Sequence, residues 1–258
     1  MRVVIVGAGI AGLSVARALL ARGVRPTVIA PDHGATALGA GIVSAQFWDR
    51  ALLPLARRSQ AIIRSLVPVH RAGMAQIALS ERTARLVERL DGTGLPRSLR
   101  FRPGFARRIV LARWSRDEFW VDSRRLIAAF SRGLTIERRR VRRVDADRVV
   151  WATAPGRRVR AVLARADVRV PTMFHVLDSG LYMRGALAGD GSIANVRRAL
   201  AEALGARCSF LRAGTVAMSR RPIVRRRGRV WIVGGFGGDG LALAPAIGER
   251  VADEVIRG

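Results

Sequence analysis

The chain has 258 residues, half of them hydrophobic, which allows a sizeable core and excludes a disordered protein. Its one cysteine, Cys208, excludes an intramolecular disulfide framework and a multi-cysteine metal site. The formal net charge is +27, from 46 basic against 19 acidic residues, and every basic residue is arginine.

The chain opens on a β-branched run, Val3-Val4-Ile5-Val6, with no polar residue, as expected of a parallel strand buried on both faces. Gly7, Gly9 and Gly12 follow in G-x-G-x-x-G spacing. The first permits a tight turn, the second lets backbone approach a pyrophosphate, and the third lets a helix pack closely on the strand. Leu13, Ala16, Leu19 and Leu20 keep helical spacing up to Gly23, and Thr27-Val28-Ile29 reads as the second strand. This strand, turn and helix predict a dinucleotide site, with phosphates on the helix N-terminus and with Ile10 and Ala11 in its first turn. An acidic residue usually ends the second strand and binds ribose hydroxyls. Ala30 stands there, and Asp32 follows two residues later. Either Asp32 reaches the ribose from a longer turn, or water and backbone hold the ribose while Asp32 caps a turn before Gly34.

Residues 34–44 are small and suit close backbone approach to a ligand. Apolar positions at helical spacing predict a long amphipathic helix over 47–66. Residues 107–114 read as a strand, and residues 120–130 as a strand end, an N-cap and a short helix. Brief strands are expected at 134–137 and 141–144, and a buried one at 147–154 that stops on small residues facing the cofactor. Arginines crowd at 138–143 and 225–227, but aromatics are only 5% of the chain and do not interleave with them. Solvated faces therefore explain the charge better than a nucleic-acid surface, while an acidic partner protein, an anionic substrate or a membrane surface stays open. Residues 157–211 are mixed, with a strand at 180–185 and a helix at 193–204. At the far end, a strand at 229–233, a glycine loop at 234–240 and a helix at 241–256 repeat the opening pattern, so both ends converge on one ligand. His33, His70 and His175 lack metal-ligand spacing and no metal is expected. G-x-S-x-G and H-E-x-x-H are absent.

Four stretches together resemble the D-amino-acid oxidase family of FAD-dependent oxidoreductases, which includes glycine oxidase and sarcosine oxidase. They are VVIVGAGIAGLSVARALLARG, the loop GAGIVS at 39–44, FWVDSRRLIAAF leading to DRVVWATAPG, and RVWIVGGFGGDGLALAPAIGERVADEVI. They cover under half of the chain, in the family's order. The resemblance implies an α/β fold, with a Rossmann-like FAD-binding domain and a reduced mixed-sheet substrate domain. It implies noncovalent FAD held at Gly7, Gly9 and Gly12, with Gly39, Ala40, Gly41 and Ile42 beside the flavin. Thr153 and Ala154 would line the cleft, and Gly235, Gly237, Gly238, Asp239, Gly240 and Leu241 would bring a helix N-terminus to the flavin pyrimidine end.

On the substrate side the family's carboxylate-binding arginine would align near 214–217, where no arginine stands. Tyr182, the one tyrosine, and Arg184 match a substrate-facing strand. Tyr182 would bond a substrate carboxylate while Arg184 or Arg212 supplies the charge. The implied reaction is oxidation of the C–N bond of a small amine or amino acid by hydride transfer to flavin. The alternative is a noncatalytic or partner-dependent flavin subunit of a larger dehydrogenase complex. The expected FAD-binding domain comprises residues 1–46, 122–156 and 221–258, and the cap 47–121 and 157–220. No apolar run is long enough to span a bilayer and no secretory pattern is present, so the expected location is cytoplasmic, with a homo-oligomer as a further possible assembly.

Overall fold

The computed structural model describes residues 1–47, 49–153 and 156–258. Ala154, assigned above to the cleft, lies outside the described residues. Strand β1 (Val3–Val6) is buried at all four positions, and α1 (Ile10–Leu20) follows its glycine turn. Next come β2 (Thr27–Ile29), the single-turn α2 (Gly34–Leu38) and β3 (Ile42–Val43). The helix predicted over 47–66 is shorter. A 3₁₀ turn (Arg50–Leu52) leads into α3 (Leu53–Leu66), because Pro54 suits a helix's first turn, where its missing N–H breaks no bond.

Then follow β4 (His70–Arg71), β5 (Met74–Ala78), α4 (Glu81–Val87), α5 (Pro103–Ala106) and β6 (Leu111–Ser115). The strand predicted at 107–114 thus starts later, after the helical turn that Pro103 opens. β7 (Phe119–Trp120) precedes α6 (Ser123–Ser131), whose N-cap Asp122 accepts from the backbone N–H groups of Arg124 and Arg125. β8 (Thr135–Glu137) and β9 (Arg148–Trp151) come next. Residues 141–144 form no strand. Val141 and Val144 instead cover the outer sheet face, against Val4, Val6 and Val149.

The last third departs most from expectation. β10 (Arg157–Val176) and β12 (Cys208–Arg227) are strands of 20 residues each, flanking β11 (Tyr182–Asp190) and α7 (Ile193–Leu204). β13 (Val230–Phe236) and α8 (Gly240–Arg257) end the chain.

A parallel sheet in the order β8, β2, β1, β9, β13 forms the first half of the molecule. β12 pairs antiparallel with β13 and with β10, so the sheet continues into the second half, where β11 and β5 flank β10 and β6 pairs with β5. Two main cores result. The first holds Ile5, Leu13, Val28, Phe130, Trp231 and Val251, and the second holds Phe105, Phe174, Leu181, Val196 and Leu200. α3, which falls in the segment assigned above to the cap, buries Ala56 and Ile63 in the first core. Its apolar face packs on α8, where the Ser59 hydroxyl accepts from the Ala246 N–H at 3.1 Å.

α1 and α8 touch backbone to backbone. A Cβ on Gly248 would lie 2.6 Å from the Ser14 Cβ and 2.7 Å from its carbonyl carbon. Gly248→Val should therefore destabilise the protein by about 1–3 kcal/mol in urea unfolding, the usual range for overpacking. Gly94→Ala, at a glycine with open space around it, is the control. An unchanged midpoint for Gly248→Val would contradict the close approach.

Candidate functional site

The site starts at the C-terminal end of β1. Gly7 adopts φ 115°, and a Cβ there would lie 2.6 Å from the Ala152 carbonyl oxygen, while one on Gly12 would collide with the Gly7 carbonyl. Both positions thus require glycine to bring β1, β9 and α1 together. At Gly9, the N-cap of α1, a Cβ would meet only the Thr36 hydroxyl at 3.4 Å and the His33 carbonyl at 3.6 Å. Gly9 therefore looks into a cleft between the start of α1 and the 33–36 turn. Thr36 Oγ1 accepts from the Ile10 N–H at 2.9 Å, leaving its own O–H free to donate into that cleft. Asp32 caps its turn, accepting from the Gly34 N–H at 2.7 Å. Thr153 is exposed just beyond β9, whose chain is tied to β1 by the Ala152 N–H on the Val6 carbonyl.

The second wall is the loop at 39–42. Gly41 has φ 75°, a Cβ on it would strike the Val121 carbonyl, and the Val121 N–H donates to the Gly41 carbonyl at 2.9 Å. Two cap arginines clasp this loop. Arg184 Nε donates to the Ala40 carbonyl at 2.6 Å, with its guanidinium 3.9 Å from the Trp120 ring centroid. Arg212 donates to the carbonyls of Leu38 (3.0 Å) and Gly39 (3.4 Å). Both side chains retain further N–H donors. Tyr182, on the same strand as Arg184, lies against Gly189. Burial pushes its phenol up, the Asp190 carboxylate adds to that, and Arg212 opposes it. Burial lowers Arg184, Asp122 opposing and Arg212 reinforcing the shift.

The third wall is the far end of the chain. Gly235 (φ 71°) and Gly237 (φ 57°) shape the turn between β13 and a 3₁₀ turn (Gly237–Asp239), and Gly240 begins α8. A Cβ on Gly240 would lie 3.3 Å from the Ile10 side chain, so the N-termini of α1 and α8 adjoin. Gly238 and Asp239 are exposed at this edge, and Leu241 is half-buried. The glycine loop at the start of α1 and the 237–241 turn thus adjoin at Ile10 and Gly240, and the 38–40 loop is held by Arg184 and Arg212.

Residues that sequence reasoning passed over also shape the site. Thr36 lies in the small-residue loop at 34–44 and His33 directly before it, with only a polar side chain to mark either. Glu118 has no sequence signal beside Asp117, yet it is only 3% exposed. It accepts from the Ala45 N–H at 2.8 Å and from the Gln60 amide at 2.9 Å, bracing the chain just after the loop. Burial pushes its carboxyl up, against the lowering effect of the Ala45 N–H, the Ser115 and Ser44 hydroxyls and Gln60. An acid raised in the folded state contributes stability below its unfolded pKa and loses it as pH rises through the folded value. Glu118→Gln should therefore gain stability relative to the parent as pH rises from about 4 to about 8. Urea unfolding at both ends checks this, and a pH-independent difference would contradict it.

The profile of the family described as FAD dependent oxidoreductase matches residues 2–170. Among solved structures, L-proline dehydrogenase from P. horikoshii superposes with a TM-score of 0.78 at 17% identity, over 100% of this chain and 93% of that one. Glycine oxidase from Bacillus cereus ATCC 14579 gives 0.77 at 18% identity over 99% and 95%, and glycine oxidase from Geobacillus kaustophilus gives 0.75 at 20% over 99% and 94%. The fold is thus shared along nearly the whole of both chains in each pair. No curated protein matches the chain in sequence. Among the described residues no helix is long and apolar enough to cross a membrane. The match spans well over half of the chain and includes the glycine loop and the clasped loop, and on that ground the chain belongs to the FAD dependent oxidoreductase family.

Proposed function

We propose that the chain binds FAD noncovalently in this cleft and oxidises the C–N bond of a small amine or amino acid by hydride transfer to the flavin. The observation that carries the reading is the meeting of two glycine-led helix N-termini, α1 and α8, at Ile10 and Gly240. Two such ends offer backbone N–H groups and positive dipole ends to a pyrophosphate and to an electron-rich ring. The open direction at Gly9 and the free Thr36 hydroxyl fit a phosphate cradle. The residues that would hold the cofactor are Gly7, Gly9, Ile10, Ala11, Gly12 and Thr36 at the phosphates, 39–42 beside the ring, and 237–241 at its far edge. The one cysteine, Cys208, packs beside the second core, which supports a noncovalent cofactor.

FAD would supply a hydride acceptor: the carbon of the C–N bond gives up its hydrogen with two electrons, the nitrogen loses a proton, and the resulting imine is hydrolysed by water. The chain's own residues bind and orient the substrate. Arg184 and Arg212 place two positive charges on the rim of the 38–40 loop, and their uncommitted N–H groups draw a substrate carboxylate. Tyr182, kept protonated by its buried setting, donates its O–H to the same group. The cap also excludes water from the reacting carbon.

A partner-dependent flavin subunit is the second reading. It is favoured by Phe210 (53% exposed) and the neighbouring Leu211 (37%), which leave an apolar stretch of β12 uncovered. Given the net charge of +27, the partner would be acidic.

Reconstituted protein should take up FAD and bleach anaerobically with at least one of D- and L-amino acids, glycine, sarcosine and proline. A protein that takes up no FAD would overturn both readings, and uptake without bleaching would favour the subunit. Gly9→Val should abolish FAD retention by filling the cradle. Unchanged flavin content would refute the cleft.

A further inference from the structure

A cavity of about 300 Å³ lies between α3, the turn that joins β6 to β7 and residues 89–91. None of the residues assigned above to the cofactor or to the substrate carboxylate lines it. Leu53, Arg57, Gln60 and Arg64 stand at the spacing of one helical stripe, so a single face of α3 forms its wall.

The charges on this lining are only partly used up. Asp91 takes Arg50 at 3.0 Å and Arg57 at 3.6 Å, and Glu118 is committed to the Ala45 N–H and the Gln60 amide. Arg64 donates one N–H to the Asp117 carbonyl at 2.7 Å and lies 4.7 Å from the Phe119 ring centroid, which leaves its other donors open. Among the described residues neither Arg64 nor Arg89 has an acidic partner. The Asp117 carboxylate, on the same lining, is exposed.

Gln46 adds a need of the opposite kind. It is 8% exposed, and its Nε2 donates to the Arg113 carbonyl at 3.3 Å. A carbonyl only accepts, so the amide must turn its nitrogen that way and its oxygen the other. That Oε1 is buried on the cavity lining, and among the described residues it has no donor. A buried acceptor left unmet is costly, so this one calls for an N–H or O–H from a ligand. A plain anion would leave Gln46 unmet, and a plain cation would face Arg64 and Arg89. A zwitterion satisfies both.

We propose that this cavity is a second, noncatalytic ligand site that binds a small free amino acid, its carboxylate on Arg64 and Arg89 and its ammonium on the Gln46 amide oxygen. The site needs no flavin and takes no part in the proposed reaction.

The test titrates the full chain by calorimetry with α-aminoisobutyrate, before and after loading with FAD. The quaternary α-carbon of this probe carries no hydrogen for a flavin to take, so binding is read without turnover. Saturable binding is expected in both forms, with isobutyrate, which keeps the carboxylate and lacks the ammonium, about tenfold or more weaker. Arg89→Gln should weaken α-aminoisobutyrate about tenfold, and Gln46→Met, of similar length but without an amide oxygen, by about as much. FAD uptake should be the same in both variants, a selective loss that general damage would not produce. Arg89 is exposed, so its variant reads the site even where Gln46→Met fails to fold. Absence of saturable binding, equal affinity for isobutyrate, or binding that survives Arg89→Gln would overturn the proposal. Those outcomes leave the flavin reading standing, since FAD uptake is measured on the same protein and no cavity residue is assigned to it.

Discussion

The structure depends on backbone approaching backbone where no Cβ intervenes. Gly12 meets the Gly7 carbonyl, Gly41 meets the Val121 carbonyl and Gly248 meets Ser14, and each contact would fail with any side chain. Remove the first and α1 lifts from the sheet; remove the last and α8 separates from α1. Since α1 and α8 supply both helix ends at the cleft, these packing contacts also set where its N–H groups point. In this chain, stability and ligand geometry come from the same few glycines.

The second organising interaction is the clasp between the two halves. Arg184 and Arg212 reach from the cap strands to the carbonyls of residues 38–40, and the loop is pinned from the other side by Val121 and Ser123. Arginine suits this task because its several donors hold a carbonyl and still leave others for a ligand. In the proposed function, the arginines that bind these strands to the loop are also the ones offered to a substrate carboxylate.

Both glycine-led ends of the fold were legible in the sequence because their geometry is written locally: a buried β-branched strand, glycines at turn positions, then apolar residues at helical spacing. The long strands β10 and β12 were not. Arginines stand side by side at 157–158, 220–221 and 225–227, residues 161–164 are a continuous apolar run, and much of β12 is exposed, so the period-two signal is weak and only pairing with β13 and β10 makes the segment extended. The expected strand at 141–144 failed for the converse reason: its valines pack on a sheet face without pairing with a strand. Site residues followed the same division. The glycines were found by motif, whereas Thr36 and Glu118 act through partners that are 26 and 58 or more residues away, contacts that no local pattern announces.

The central claim is that two distant stretches of chain form a single dinucleotide cleft. Amide hydrogen exchange with and without FAD tests it most directly. The account predicts that residues 8–12, 33–42 and 237–241 slow together at the same FAD concentration. Protection confined to the N-terminal glycine loop, with 237–241 unchanged, would contradict it.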